Sequence, residues 1–167
     1  MKILVDIIKE SYTWGEQKYI KKTFAKDIMN MIASELGIFG KTKNIEFTIL
    51  LTNNEKIRIL NKNFRNKDKA TNVLSFPDRD LNWNELKEED FAEEIILGDI
   101  AFAYEIIKEE ATSSSISIQN HFTHLLVHAI LHLLGYDHEK EEDGEVMRAL
   151  EIKILNKLDI KTPPLYA

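Results

Sequence analysis

Apolar residues recur along this chain with two different periods, and each change of period marks an element. Ile3 to Ile8 is an apolar-rich run that reads as a first strand. Tyr19, Ile20, Phe24, Ile28, Met31 and Ile32 keep the helical period until Gly37, which predicts an amphipathic helix of about five turns. Ile45, Phe47, Ile49 and Leu51 alternate with Glu46, Thr48 and Leu50, the pattern of a half-buried strand. Thr52 followed by Glu55 has the spacing of a capping box that would open a short helix burying Ile57, Leu60 and Phe64. Val73 to Phe76 reads as a short strand ended by Pro77, which has no amide proton for a ladder. Asp78 to Glu94 is an acidic loop with room for a helical turn, and Ile95 to Ala103 is a further strand. A helix to about Ala111, the linker TSSSIS and a helix from about Ser117 to Leu134 follow. Met147, Leu150, Ile154 and Leu158 mark a last helix.

Strands therefore fall in the first two thirds and helices crowd the last third. This predicts an α+β fold, one mixed β-sheet of about four strands packed with about five helices, but not the order of the strands. The 167 residues fit one domain, residues 1–167, and suffice for a real core. Hydrophobic residues at 44 % and charged residues at 30 % are ordinary for a folded soluble protein. With no cysteine, disulfides and thiolate metal sites are excluded, and a reducing cytoplasmic setting is expected. The opening MKILVDIIKE breaks its apolar run at Asp6 and Lys9, unlike a signal peptide, and no run approaches the ~18 apolar residues of a membrane span.

The net charge of −6 argues against a nucleic-acid partner until its distribution is read. Residues 56–69 carry Lys56, Arg58, Lys62, Arg65, Lys67 and Lys69 against Asp68, a sum of +5. Residues 81–110 carry ten acids against Lys87 and Lys108, a sum of −8. A basic segment is thus hidden by an acidic one. It is either the wet face of a short helix or a track for a phosphate backbone.

The stretch LLVHAILHLLGYDH, residues 125–138, carries the candidate chemistry. His128 and His132 are four apart on a helix and share a face, while Gly135 permits the left-handed turn that can bring His138 back towards them. Three converging imidazoles suit a tetrahedral zinc site with its fourth position open to water. An unpartnered buried imidazole would cost roughly 1–3 kcal/mol, which one metal ion would relieve for all three. His124 lies one turn earlier, and three residues spaced by four extend about 12 Å along a helix, too far to ring one ion. A supporting position behind the ligands, or the surface, is expected for His124, and His121 is a weaker ligand candidate still. Asp137 either orients a histidine or serves as a turn residue. The HExxH of zinc proteases has the same ligand spacing, but Ala129 occupies the slot of its glutamate base. Phe64, Phe76 and Tyr136 could stack on unpaired bases, although periodicity favours core packing for the first two.

HAILHLLGYDH resembles the HGxLHLxGYDH signature of the YbeY family, bacterial ribosomal RNA maturation factors that are metal-dependent single-strand endoribonucleases. FRNKDKATNVLSFP and LGDIAFA are similar to two further family blocks, and together they span about residues 60 to 140. Ala129 stands where the family usually has glycine and Asn72 where it usually has aspartate. The resemblance implies one zinc ion per chain held by His128, His132 and His138, with Arg65 lining the same cleft and binding phosphate. Nickel, copper or iron can also use three imidazoles. The expected function is a cytoplasmic endoribonuclease acting on ribosomal RNA and the ribosomal small subunit, in maturation and quality control, with no DNA or membrane partner. Hydrolysis would use metal-bound water with Arg65 assisting, and Lys62, Lys67 and Lys69 would hold RNA. The alternatives are a non-catalytic ribosome-assembly factor with a structural zinc and a zinc peptidase-like hydrolase.

Overall fold

The computed structural model describes residues 1–15 and 17–165. In chain order its elements are β1 (Lys2–Lys9), α1 (Lys22–Leu36), β2 (Asn44–Thr52), α2 (Asn54–Arg65), β3 (Val73–Pro77), β4 (Glu94–Ala103), α3 (Tyr104–Ser113), α4 (Ile118–Leu133) and α5 (Glu141–Asn156). The fold is α+β: the strands form one mixed four-stranded sheet in the order β1-β2-β4-β3. The first three are parallel and β3 runs antiparallel along the outside of β4. Placing β3 beyond β4 leaves a five-residue edge strand beside α4. Its proline ends the ladder at that edge, where no further strand requires an amide proton.

β2 is flanked on both sides, and Ile45, Phe47, Ile49 and Leu51 on its inner face are at most 2 % exposed. The main core joins them to α1 and α4, while Ile57 of α2 packs with Leu74, Ala101 and Ala103 in a smaller cluster. α4 packs against β3, β4, α1, α3 and α5, and every residue from His121 to Leu131 is buried. A helix apolar around most of its circumference belongs at the centre of a fold. Ser117 starts it, its side chain accepting from the Asn120 amide at 3.0 Å.

Several boundaries differ from the periodic reading, each for a local reason. α1 begins at Lys22, one turn shorter than the apolar pattern. Tyr19 reaches the core from the preceding turn by edge contacts with Phe24 and Phe122. Thr52 does not cap α2, because its hydroxyl donates to the Phe102 carbonyl across the sheet at 2.9 Å. Asn53 caps it instead, accepting from the Lys56 amide. Phe64 is 68 % exposed and not a core residue; Asn61 is the buried one, its amide donating to the Lys69 carbonyl at 2.8 Å. The acidic loop holds two short 3-10 turns, Trp83–Glu85 and Glu88–Asp90, and Leu158 lies beyond the end of α5. Among the described residues, no helix is long and apolar enough to cross a membrane.

Candidate metal centre

α4 ends by turning through Gly135, whose φ is +92° and whose missing Cβ would stand 2.3 Å from the Leu81 carbonyl oxygen. Only glycine fits there, because the positive φ and the crossing acidic loop both exclude a side chain. The turn returns the chain so that His138 meets His128 and His132. One nitrogen of each ring lies within 4.8 Å of the others, and among the described residues this is the one His, Asp and Glu group able to hold a metal ion.

The backing of two rings decides which nitrogens face inward. His132 Nδ1 lies 2.8 Å from the Tyr136 carbonyl oxygen, which can only accept, so Nδ1 carries the proton. His128 Nδ1 lies 3.2 Å from Glu151 Oε2. Hydrogen bonds from His124 and His128 outweigh burial and hold the Glu151 carboxyl down at about 2, so Glu151 is an acceptor too. When both rings are neutral, the state in which imidazole binds a metal, the two Nε2 atoms present lone pairs to each other, 3.0 Å apart. Two such lone pairs repel unless a proton or a metal cation lies between them. Ligands ~2.0–2.1 Å from a tetrahedral ion are themselves roughly 3.4 Å apart, close to this spacing. Burial, then the neighbouring His128 and His138, hold the His132 pKa down at about 3, and burial and His128 also lower that of His138. These two ligand candidates are neutral at pH 7, as metal binding requires. The residues present fit a divalent transition metal.

Glu151 went unnoticed in the sequence. It is only 1 % exposed and sits on the apolar stripe of α5 with Met147, Ile154 and Leu155. An acid at a core-facing helical position was the available signal. Its other oxygen, Oε1, lies 2.6 Å from Nε2 of His124, and the Thr162 hydroxyl bonds the far nitrogen of that ring. His124 thus stands in a buried layer behind the three histidines. His121, on the other flank of α4, bonds Glu110 of α3 at 3.1 Å. The Asn72 amide also donates to Glu110, at 2.9 Å and 3.3 Å, which accounts for an asparagine there: an aspartate would set two carboxylates face to face. Asp137 accepts from the Glu139 amide at 3.4 Å, as a turn residue does, and Glu151 is a carboxylate bonded to a histidine of the trio.

A cleft of about 530 Å³ opens beside the cluster, lined by Arg65, Asn72, Ser75, His128, His132 and His138 among others. Ser75 fixes one wall by donating to the Ala129 carbonyl at 3.1 Å, tying β3 to α4. Ala129 itself is fully buried, so its methyl group fills core where a peptidase would need a base. Of the basic segment, Arg65 reaches the cleft. Lys56 pairs with Glu10 and Arg58 with Asp68, both at 2.8 Å, and Lys62 lines a separate groove. Lys67 and Lys69 are exposed, outside the cleft lining. Tyr136 offers no free ring, being buried and stacked on Trp83 at 5.8 Å, while half-buried Phe76 lies under exposed Phe64.

A family model described as Endoribonuclease YbeY matches residues 11–159. Endoribonuclease YbeY of Zymomonas mobilis subsp. mobilis is 37 % identical over 153 residues, covering 90 % of this chain and 86 % of the relative. The solution structure of TM1509 from Thermotoga maritima superposes with a TM-score of 0.52 at 20 % identity, covering 98 % of this chain and 100 % of that one, a likeness of fold.

Proposed function

The chain belongs to the YbeY family, and from that premise we propose that it is a metal-dependent endoribonuclease that cuts single-stranded RNA. Its substrate is ribosomal RNA, in maturation and in quality control of the small subunit. His128, His132 and His138 hold one divalent ion, zinc by preference for three imidazoles in tetrahedral array. The observation that carries this reading is the convergence of three imidazole nitrogens, two of them Nε2 atoms 3.0 Å apart, beside an open cleft.

A cation held there supplies Lewis acidity and lowers the pKa of a water. Arg65 faces the same cleft, and its planar guanidinium matches two phosphoryl oxygens at once, where it stabilises charge that grows on them during hydrolysis. Burial keeps the His132 ring unprotonated, partial desolvation and the neighbouring His128 lower the pKa of His138, and the Tyr136 carbonyl and Glu151 keep His132 and His128 turned towards the site. An assembly factor with a purely structural zinc needs no cleft against its metal, and that open face favours the enzyme.

Cleavage of an unstructured RNA by purified protein tests the proposal. Activity is expected to vanish on chelation, to return with zinc, and to be absent in His132→Ala. Chelated protein that keeps its circular dichroism while losing activity supports catalysis, and protein that unfolds on chelation moves the reading to the structural clamp.

A further inference from the structure

Glu151 poses a question that core packing does not answer. Its neighbours on the buried face of α5 are Met147, Ile154 and Leu155, and an apolar residue at 151 would continue that face. Replacing a buried ionic group by a well-packed apolar one is often neutral or stabilising, so stability alone gives no reason for a carboxylate here. The geometry gives one. The two oxygens grip two different histidines of α4: Oε2 meets His128 Nδ1 at 3.2 Å and Oε1 meets His124 Nε2 at 2.6 Å. Held at both oxygens, the carboxylate is not free to rotate. It fixes the His128 ring about its own axis, with Nε2 directed at Nε2 of His132. The two helical ligand candidates are consequently unequal: His132 is backed by a neutral carbonyl and His128 by a charge, which raises the basicity of its inward nitrogen.

We propose that Glu151 is a positioning residue for the metal ligand His128, setting its tautomer and donor strength, with His124 and Thr162 holding the carboxylate in place. This rests on the metal reading above. The test is zinc affinity, measured by competition with a chromophoric chelator at neutral pH on the full chain, together with the visible spectrum of the cobalt-loaded protein. Glu151→Gln, which removes the charge, is expected to weaken zinc roughly 10–100-fold and to alter the cobalt bands. Glu151→Asp, which keeps the charge one methylene short, is expected to recover part of that loss, and it carries the test if the glutamine variant does not fold. Ile154→Val removes one buried methyl group from the same helix and no hydrogen-bonding group, and should lower the melting temperature while leaving zinc affinity and spectrum unchanged. Zinc affinity in Glu151→Gln within twofold of wild type would overturn the inference. So would an equal loss in Ile154→Val, which would make the effect one of stability. Wild-type protein that binds neither zinc nor cobalt would instead overturn the metal reading and this inference with it.

Discussion

α4 carries its candidate chemistry inside the core, whereas α2 carries its cations in water, and the two achieve precision differently. On α4, His121, His124 and His128 are packed between α3 and α5, each of which contributes one buried or half-buried carboxylate, Glu110 and Glu151. Close packing leaves these rings one arrangement. On α2 and the loop after it, six cations crowd residues 56–69, but two pair with nearby acids and only Arg65 reaches the cleft. Asn66, left-handed at φ 57°, ends the helix immediately after Arg65, and Lys67 to Lys69 continue in the loop beyond it. Charge density along the chain is thus a poor guide to charge at a site, because exposed side chains are placed by solvent and by the nearest opposite charge.

The sharpest separation between the regions lies within α2 itself. Arg65→Ala is expected to lower the cleavage rate roughly 10²–10³-fold, the cost of one donor to a developing oxyanion, with metal content by elemental analysis unchanged. An equal loss from the lysines outside the cleft would break the distinction between Arg65 and its neighbours.

Acid should act on the α4 side far more than on α2. Glu151 is lowered from 4.5 to about 2, so its contribution to folding is complete above pH 4.5 and is lost as pH falls through about 2. His132, lowered from 6.5 to about 3, likewise resists protonation in the fold, and its contribution disappears as pH falls from 6.5 through about 3. Urea midpoints of metal-free protein should therefore drop between pH 6.5 and 3 and continue to drop below. Glu151→Gln should flatten the lower part of that curve, and Asp68→Ala, which removes the exposed and solvent-screened partner of Arg58, should change its shape far less.

The smallest effect concerns the remaining cations. Replacing Lys62, Lys67 and Lys69 together by Ala should weaken binding of unstructured RNA by a few fold. The slope of log affinity against log salt should shrink by about 0.7 for each lysine that meets a phosphate, read by fluorescence anisotropy over a salt series. A slope that does not change would place these lysines off the RNA path and leave Arg65 as the contact.

Much of the fold was legible because periodicity reports burial, and burial was strong. The strands at 45–51 and 95–103 and the helix of residues 118–133 each carry a long regular pattern, and all three appear. Phe64 misled because an apolar residue at helical spacing marks a face, and at Phe64 that face is open to solvent although its ring meets Phe76. Thr52 misled because a capping hydroxyl and a cross-sheet hydroxyl look identical in one dimension. The trio His128, His132 and His138 could be named in advance since two are local to one helix and the third follows a glycine that admits the necessary turn.

By itself the sequence determined what depends on neighbours a few residues apart: the elements, the shared face of His128 and His132, and the glycine turn that lets His138 return. Only the tertiary structure decided what depends on contacts across long loops of chain. That includes the outer position of β3, the isolation of Arg65 from the other cations, and the meeting of Glu151 with histidines 23 and 27 residues away. Such pairs are selected by the packing of whole elements, and no local period records them.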